Sequence, residues 1–283
     1  MTDESAFNAS NENQNENDVS LWREDPTRPA GFRQTLIFGG EEYGFRWIPA
    51  GEFDMGSPTS EKGRRDDEVL HHVVLTRGFW ALETPTTQAL YREVMGTNPS
   101  CFQGDDLPVE TTSWDDANEF CKTLTERLPK NLKASLLTET QWEYACRAGT
   151  KTVYWYGDDE DPDMMNYFDS KIGMTSPVKK YPPNPWGLYD MHGNVYEWVL
   201  DWDYNDYLPG TSVDPIGTEK PSDRMTREGG WLPEAISSFG SDRAMRGGFW
   251  EGFGFNCRSA DRCGENSCYR DKEIGFRFLL IYD

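Results

Sequence analysis

The clearest hydrophobic pattern in this chain is a helical stripe that begins after Ser113. Apolar residues recur at the i, i+3, i+4 and i+7 spacing of one helix face, at Ala117, Phe120, Cys121, Leu124 and Leu128. Ser113 has a side chain suited to an N-cap, and Asp116 stands near the third helical position, where it can complete a capping box. These residues predict an amphipathic helix with one buried face.

Two further helices are predicted on either side of this one. The first runs from Thr87 to Met95, with Thr86 as its N-cap and Gly96 just past its end. The other follows Thr138 and stops at Gly149. Its buried face is predicted to hold Trp142, Ala145 and Cys146. All three helices are interpreted as scaffolding.

Short stretches with the two-residue period of a β-strand flank these helices. Residues 43–55 alternate like a strand pair with a turn at 49–51, and residues 71–75 form another short run. Residues 274–280 are predicted to close the chain as a strand, and 246–248 are predicted to lead into one. Short strands, three helices and long loops together indicate an α+β fold.

The stretch from Trp186 to Asp203 fits neither period, although it is rich in large rings and acids. The pair Gly193 and Asn194 indicates a turn. Tyr196, Trp198 and Trp202 follow it at even spacing. We interpret the stretch as a loop-rich part of the core that is held in place by aromatic rings.

The first residues of the chain differ in composition from all that follows. Residues 1–20 are rich in Asn, Glu, Asp and Ser and almost free of apolar side chains, so they cannot offset the entropy cost of ordering. We therefore predict a disordered tail over 1–35 and one domain over 36–283. A single domain of that length lies near the upper end of the usual range.

The formal charge of −21 limits the classes of partner. Phosphates would be repelled over most of the surface, so neither a nucleic acid nor an anionic membrane is expected. The longest apolar runs are shorter than the roughly 18 residues of a membrane helix. No basic and apolar leader is visible, which predicts a cytoplasmic location and leaves export by another route open.

The six cysteines and three histidines show no metal-binding or disulfide pattern. The cysteines are scattered without a Cys-x-x-Cys step, and Cys121 and Cys146 lie on apolar helix faces. His71, His72 and His192 lack the spacing of paired metal ligands, so a histidine-built iron or zinc site is not expected.

Five segments in order resemble the sulfatase-modifying-factor family, whose best-known members are the formylglycine-generating enzymes. They are IPAGEFDMGSP (48–58), LTETQWEYACRAGT (137–150), WGLYDMHGNVYEWVLDW (186–202), MRGGFWEGFGFNCRSADR (245–262) and IGFRF (274–278). The resemblance covers roughly residues 45–283. It implies the formylglycine-generating-enzyme type of C-type-lectin-like fold, which is loop-rich.

The resemblance also implies a test for copper chemistry. Formylglycine-generating enzymes hold copper with two cysteines, and their motif places the pair at Gly254 and Ser259 of this chain. Neither is a cysteine, so copper is not expected. Cys263 and Cys268 have the same separation but follow the anchoring Ala-x-Arg element. They support the alternative of a copper-dependent oxidoreductase that acts on a protein cysteine or a small thiol.

Calcium is the cofactor that the resemblance favours. A family site beside the Gly-Asn turn corresponds to Asn194, the backbone of Val195, and Glu197. A second, weaker site corresponds to Asn166 and Tyr167, with Ser170 where the family has an aspartate. Calcium prefers such oxygen ligands in shells of six to eight.

The C-terminal segment 249–273 is the predicted binding surface. Tyr, Phe, Arg and Asn are side chains that recognition surfaces favour. The segment resembles the variable proteins of diversity-generating retroelements, which have this fold and vary this region. The leading hypothesis is therefore a non-catalytic scaffold that binds a protein or small-molecule ligand. Its predicted contact residues are Trp231, Trp250, Glu251, Phe253, Phe255, Cys263, Asn266, Tyr269, Arg270 and Asp271.

Overall fold

The computed structural model describes residues 19–203, 210–216 and 242–282, and these ranges contain three α-helices. The helices are α1 (Gln88–Met95), α2 (Trp114–Arg127) and α3 (Glu139–Arg147). Capping boxes start α2, at Ser113 and Asp116, and α3, at Thr138 and Gln141. The N-cap of α1 is Thr87, one residue later than predicted, and its hydroxyl accepts a hydrogen bond from the Leu90 N–H.

Twelve strands in the described ranges form three sheets, of five, four and three strands. They are β1 (Arg33–Phe38), β2 (Glu41–Ile48), β3 (Gly51–Met55), β4 (His71–Leu75), β5 (Phe79–Leu82), β6 (Leu132–Leu136), β7 (Tyr196–Trp202), β8 (Thr211–Val213), β9 (Asp242–Arg246), β10 (Arg262–Asn266), β11 (Ile274–Phe276) and β12 (Phe278–Tyr282). With three helices and long loops, this arrangement is the predicted α+β fold.

The five-stranded sheet has the order β1-β2-β5-β12-β6. Strand β12 therefore lies inside the sheet, antiparallel to β5 on one side and to β6 on the other. Helix α2 packs beside this sheet, where the Phe120 ring contacts Phe276 and Phe278 with centroids 5.1 and 5.5 Å apart. The aromatic stretch and the C-terminal strands thus share one core.

The irregular stretch after Trp186 contains a regular strand that the sequence pattern did not predict. Residues Tyr196–Trp202 form β7, in a four-stranded sheet of order β10-β9-β7-β11. Six of its seven residues are buried, so both of its faces are covered and no alternation of polar and apolar residues marks it. The prediction of a loop here was wrong, although the buried aromatics were correctly placed in the core.

The strand predicted to follow Arg246 is also absent from the described residues. Instead β9 ends at Arg246, and Gly247 and Gly248 have φ angles of +100° and +74°. A Cβ on Gly248 would lie 2.5 Å from the Cys257 Sγ atom. The glycines therefore turn the chain back sharply, against a buried cysteine, rather than continuing a strand.

The predicted N-terminal boundary at residue 35 is too late. Residues 1–18 lie outside the described residues, but Val19–Trp22 forms a 3₁₀ turn and β1 begins at Arg33. Trp22 is buried against Phe45 and Trp80, and its carbonyl accepts a hydrogen bond from the Trp80 indole N–H. These residues pack on the domain because their apolar side chains complete its core.

None of the helices within the described ranges has the length and apolar character that crossing a membrane requires.

Candidate functional site

The loop after Gly248 is a rigid frame that carries exposed aromatic side chains. Trp250 is buried, and its N–H donates to the Asn194 carbonyl over 3.1 Å. Cys257 is fully buried under the Gly-Gly turn. Arg258 is also buried, and its guanidinium pairs with Glu61 and Glu68. The ends of the loop are therefore fixed, and the prediction that Trp250 belongs to the exposed contact surface was wrong.

Phe253 and Phe255 project from this loop, and together with Phe168 of the 3₁₀ turn Phe168–Ser170 they form what we call the aromatic patch. Phe253 is 56% exposed, Phe255 42% and Phe168 47%. The rings of Phe253 and Phe255 stack with centroids 5.6 Å apart, and Phe168 lies 5.5 Å from Phe253. The Phe168 N–H donates to the Gly252 carbonyl over 2.9 Å. Sequence reasoning missed Phe168 because its partners lie more than eighty positions away along the chain.

A second exposed group lies near the start of α2. Tyr269 is 42% exposed, and its hydroxyl lies 3.4 Å from an Asp271 carboxylate oxygen. Arg270 forms an exposed ion pair with Asp116 of α2, with 2.7 Å between Nε and Oδ2. Asn266 ends β10 and accepts hydrogen bonds from Cys268. These predicted contact residues are accessible, but they form a group of their own rather than part of the aromatic patch.

Glu251 and Lys272 link the two groups. The Lys272 ammonium lies 3.4 Å from the Glu251 carboxylate and 4.6 Å from the centre of the Trp250 ring. Burial raises the pKa of the adjacent Glu273 carboxyl to about 7, and the nearby Asp271 and Glu251 add to this effect. Trp231, the remaining predicted contact residue, lies outside the described residues.

The structure does not bring Cys263 and Cys268 together. Cys263 lies on β10 opposite Met245 and packs against the main hydrophobic core, where burial raises the pKa of its thiol to about 11. Cys268 lies beyond the strand end, with Sγ 2.9 Å from Asn266 Oδ1. Cys263 and Asn266 are three positions apart along β10, which corresponds to about 10 Å between their Cα atoms. Two thiolates that share a Cu(I) ion must converge on one point.

The positions at which the family motif would place copper ligands are also closed. A Cβ on Gly254 would lie 2.1 Å from the Glu160 carboxyl carbon, so that carboxyl occupies the space of a side chain. Ser259 is fully buried, and its Oγ lies 3.8 Å from the Cys146 Sγ. Burial raises the pKa of the Cys146 thiol to about 12. Cys146 and Cys121 are both buried, as predicted.

The oxygen atoms at the first predicted calcium site are already used by the protein. Both Glu197 oxygens accept hydrogen bonds from Arg277, and one also accepts from the Trp142 indole N–H. Asn194 Oδ1 accepts from the Ser176 N–H and the Asn166 amide. A buried guanidinium thus neutralises the carboxylate that calcium would need, and these residues do not fit a calcium shell.

The second predicted calcium site is closed in another way. The Ser170 hydroxyl lies 2.8 Å from Asn166 Oδ1 and 2.7 Å from the Tyr167 carbonyl oxygen. Asp169 faces outward and pairs with Lys171. The two oxygens that would bind an ion are therefore bridged by a hydroxyl group instead, and they do not fit calcium either.

Calcium is accordingly expected to leave the stability of the protein unchanged. We expect the same Tm in EDTA and in millimolar calcium, measured by differential scanning calorimetry. The reason is that Arg277 and Ser170 already donate hydrogen bonds to the oxygens that calcium would need. A site with micromolar affinity would instead stabilise the folded state by about 4 kcal/mol at a thousandfold excess over its Kd. A calcium-dependent rise in Tm that corresponds to this stabilisation would show that these oxygens rearrange to bind the ion.

Comparison with known proteins agrees with this fold. Residues 40–280 match the family model described as "Sulfatase-modifying factor enzyme 1-like domain". The solved structure of Treponema denticola variable protein 1 has a TM-score of 0.74 and 24% identity, and covers 90% of this chain and 100% of that one.

Curated relatives also match in sequence. Serine/threonine-protein kinase pkn1 of Chlamydia pneumoniae is 27% identical over 256 residues, 81% of this chain and 36% of that protein. Formylglycine-generating enzyme of Mus musculus is 29% identical over 177 residues, 58% of this chain and 45% of that enzyme. The chain therefore spans less than half the length of these relatives. The match over 40–280 nevertheless covers most of the chain, which belongs to the sulfatase-modifying-factor family and has its C-type-lectin-like fold.

Proposed function

We propose that this chain is a binding scaffold that recognises a protein partner through the aromatic patch of Phe168, Phe253 and Phe255. The observation that carries this proposal is the exposure of three adjacent phenylalanine rings, two of them on a loop whose ends are held by buried side chains. Exposed apolar groups of this kind are characteristic of interaction sites. Aromatic rings are also enriched in protein interfaces.

The side chains that hold the loop in place are different from those that the loop exposes. Trp250, Cys257 and Arg258 point inward and hold the loop, whereas Phe253 and Phe255 point outward and make no contribution to the main core. A display surface requires this division, because outward residues can then change without loss of the fold. Retroelement-diversified variable proteins would use such a surface, and the likeness to Treponema denticola variable protein 1 supports this assignment by fold.

The positions of the cysteines give no support to the alternative of a copper-dependent oxidoreductase. No observation favours it, because Cys263 is embedded in a sheet and Cys268 is separated from it.

The proposal predicts that a substitution in the aromatic patch weakens partner binding and leaves the stability of the fold unchanged. We expect Phe253→Ala to weaken partner binding at least about tenfold, as for a central aromatic residue of an interface, and to leave Tm unchanged because the ring is exposed. Partners are first identified by affinity purification from the source organism, and their direct binding is then measured by calorimetry with purified proteins. Tyr269→Ala tests whether the second exposed group takes part.

Ile37→Ala is the matched control. Ile37 is 49% exposed on β1, so the substitution also removes an exposed apolar side chain, but at a distant strand. The proposal is wrong if Phe253→Ala and Ile37→Ala retain the same partners with the same affinity. A large fall in Tm for Phe253→Ala would instead place that ring in the structural core.

A further inference from the structure

A pocket of about 280 Å³ lies between β3, β4 and the C-terminal end of α3, in a part of the fold that the aromatic patch does not use. Three aromatic rings form its apolar lining. Tyr144 lies between the other two, with its ring centroid 5.2 Å from Phe53 and 4.9 Å from Trp186. Tyr144 packs edge-to-face on Trp186 and at a tilt of 49° on Phe53, and these contacts hold the three rings in place. Such a lining suits a small flat or alkyl group.

The rim of the pocket is acidic on the β3 side. Glu52 and Asp54 lie on the same face of β3, two residues apart, and their side chains are 70% and 45% exposed. The His72 ring lies between them, with Nε2 3.5 Å from Glu52 and Nδ1 3.3 Å from Asp54. One imidazole ring therefore faces both carboxylates, and it can carry at most one positive charge for the two.

The same rim also holds a lysine of this chain, which pairs with one of the carboxylates. The Lys151 ammonium lies 3.1 Å from Asp54 Oδ2, but its side chain is 85% exposed. An ion pair this exposed contributes little and is easily exchanged. Arg147, which also lines the pocket, is held by the Glu143 carboxylate and the Gly56 carbonyl. The carboxylates of Glu52 and Asp54 are therefore paired at the rim only with His72 and Lys151, whose side chains are themselves exposed to solvent.

We propose that this pocket binds a small organic amine, with its apolar or aromatic body against Trp186 and Tyr144 and its ammonium group at Glu52 and Asp54. An ammonium group donates to carboxylates and is attracted to the faces of aromatic rings. Gly149 also lines the pocket, and the space beside its Cα is open, since a Cβ added there would meet nothing within 4 Å. This site is independent of the aromatic patch and of the proposed function.

Three probes of nearly the same shape test the proposal: tyramine, 4-ethylphenol and 3-(4-hydroxyphenyl)propionate, which are cationic, neutral and anionic at neutral pH. Binding is measured by calorimetry and by ligand-observed NMR on the full chain. We expect tyramine to bind at least about tenfold more tightly than 4-ethylphenol. This difference corresponds to one hydrogen bond between the ammonium group and a carboxylate. The propionate is expected not to bind. Equal binding of all three, tighter binding of the propionate, or binding by none of them would overturn the proposal.

Variants then locate the site. Asp54→Asn and Trp186→Leu are each expected to weaken tyramine binding at least about fivefold, and their Tm values report whether the fold is intact. Asp169→Asn is the matched control, because Asp169 is an equally exposed carboxylate that pairs with Lys171 elsewhere. Undiminished binding in Asp54→Asn would show that the amine binds at another place and would refute the site.

Discussion

Replacing Arg277 with Met is expected to destabilise the protein by about 3–5 kcal/mol, as found when one partner of a buried ion pair is removed. Arg277 and Glu197 are almost completely buried, and their side chains are joined by three hydrogen bonds. The guanidinium also donates to the carbonyls of Leu82 and Tyr189. Without it, the Trp142 indole is the one donor among the described residues that still reaches the Glu197 carboxylate in the core. Urea unfolding measures the loss.

Two further variants make this test specific. Arg92→Met removes an exposed pair, in which Arg92 lies 2.8 Å from Asp105, and is expected to cost no more than about 1 kcal/mol. Arg277→Met combined with Glu197→Gln is expected to recover part of the loss, because no buried charge is then left unpaired. If Arg277→Met costs no more than Arg92→Met, the pair does not stabilise the fold.

The second large effect concerns Asp261 and depends on pH. Asp261 is buried beside Arg65 and Arg258, and within the described part of the chain its Oδ2 atom has no hydrogen-bond partner. Burial raises the pKa of its carboxyl from 3.8 to about 7, although the two arginines act in the opposite direction. Between about pH 4 and pH 7, the folded state therefore binds this proton more tightly than the unfolded chain does. The contribution of Asp261 to the free energy of unfolding falls as the pH rises through that window.

Asp261→Asn is accordingly expected to remove a pH-dependent loss of stability on the order of 3 kcal/mol between pH 5 and pH 8. Urea unfolding of both proteins at each pH gives the difference. Asp66→Asn serves as the control, because Asp66 is a fully exposed carboxylate that directly follows Arg65, one of the arginines beside Asp261. Parallel stability curves for Asp261→Asn and the unchanged protein would contradict the assigned pKa.

The parts of the fold that the sequence predicts well are those fixed by local signals. The capping boxes at Ser113 and Thr138 and the apolar stripe of α2 depend on residues within a few positions of each other, and both helices form as predicted. Strand β7 has no such signal. Its pairing partners β9 and β11 come from far along the chain, and both of its faces are buried, so no local alternation marks it.

The same distinction applies to the candidate site. Phe253, Phe255 and Tyr269 are exposed, as a recognition surface requires, and their role in binding stays a prediction. Trp250 was predicted to be exposed but is buried, because a single tryptophan in a sequence does not indicate whether its side chain is buried. The contact of Phe168 with Phe253, and of Arg258 with Glu68, joins distant segments, and composition cannot reveal such pairs.

The place of β12 in the five-stranded sheet has a consequence for the synthesis of this protein. Its neighbours β5 and β6 leave the ribosome more than a hundred residues earlier, but they are joined only through β12. Until residue 282 has emerged, their facing edges have no partner, and such edges invite pairing with other chains. This domain therefore completes its native sheet only after β12 has been synthesised.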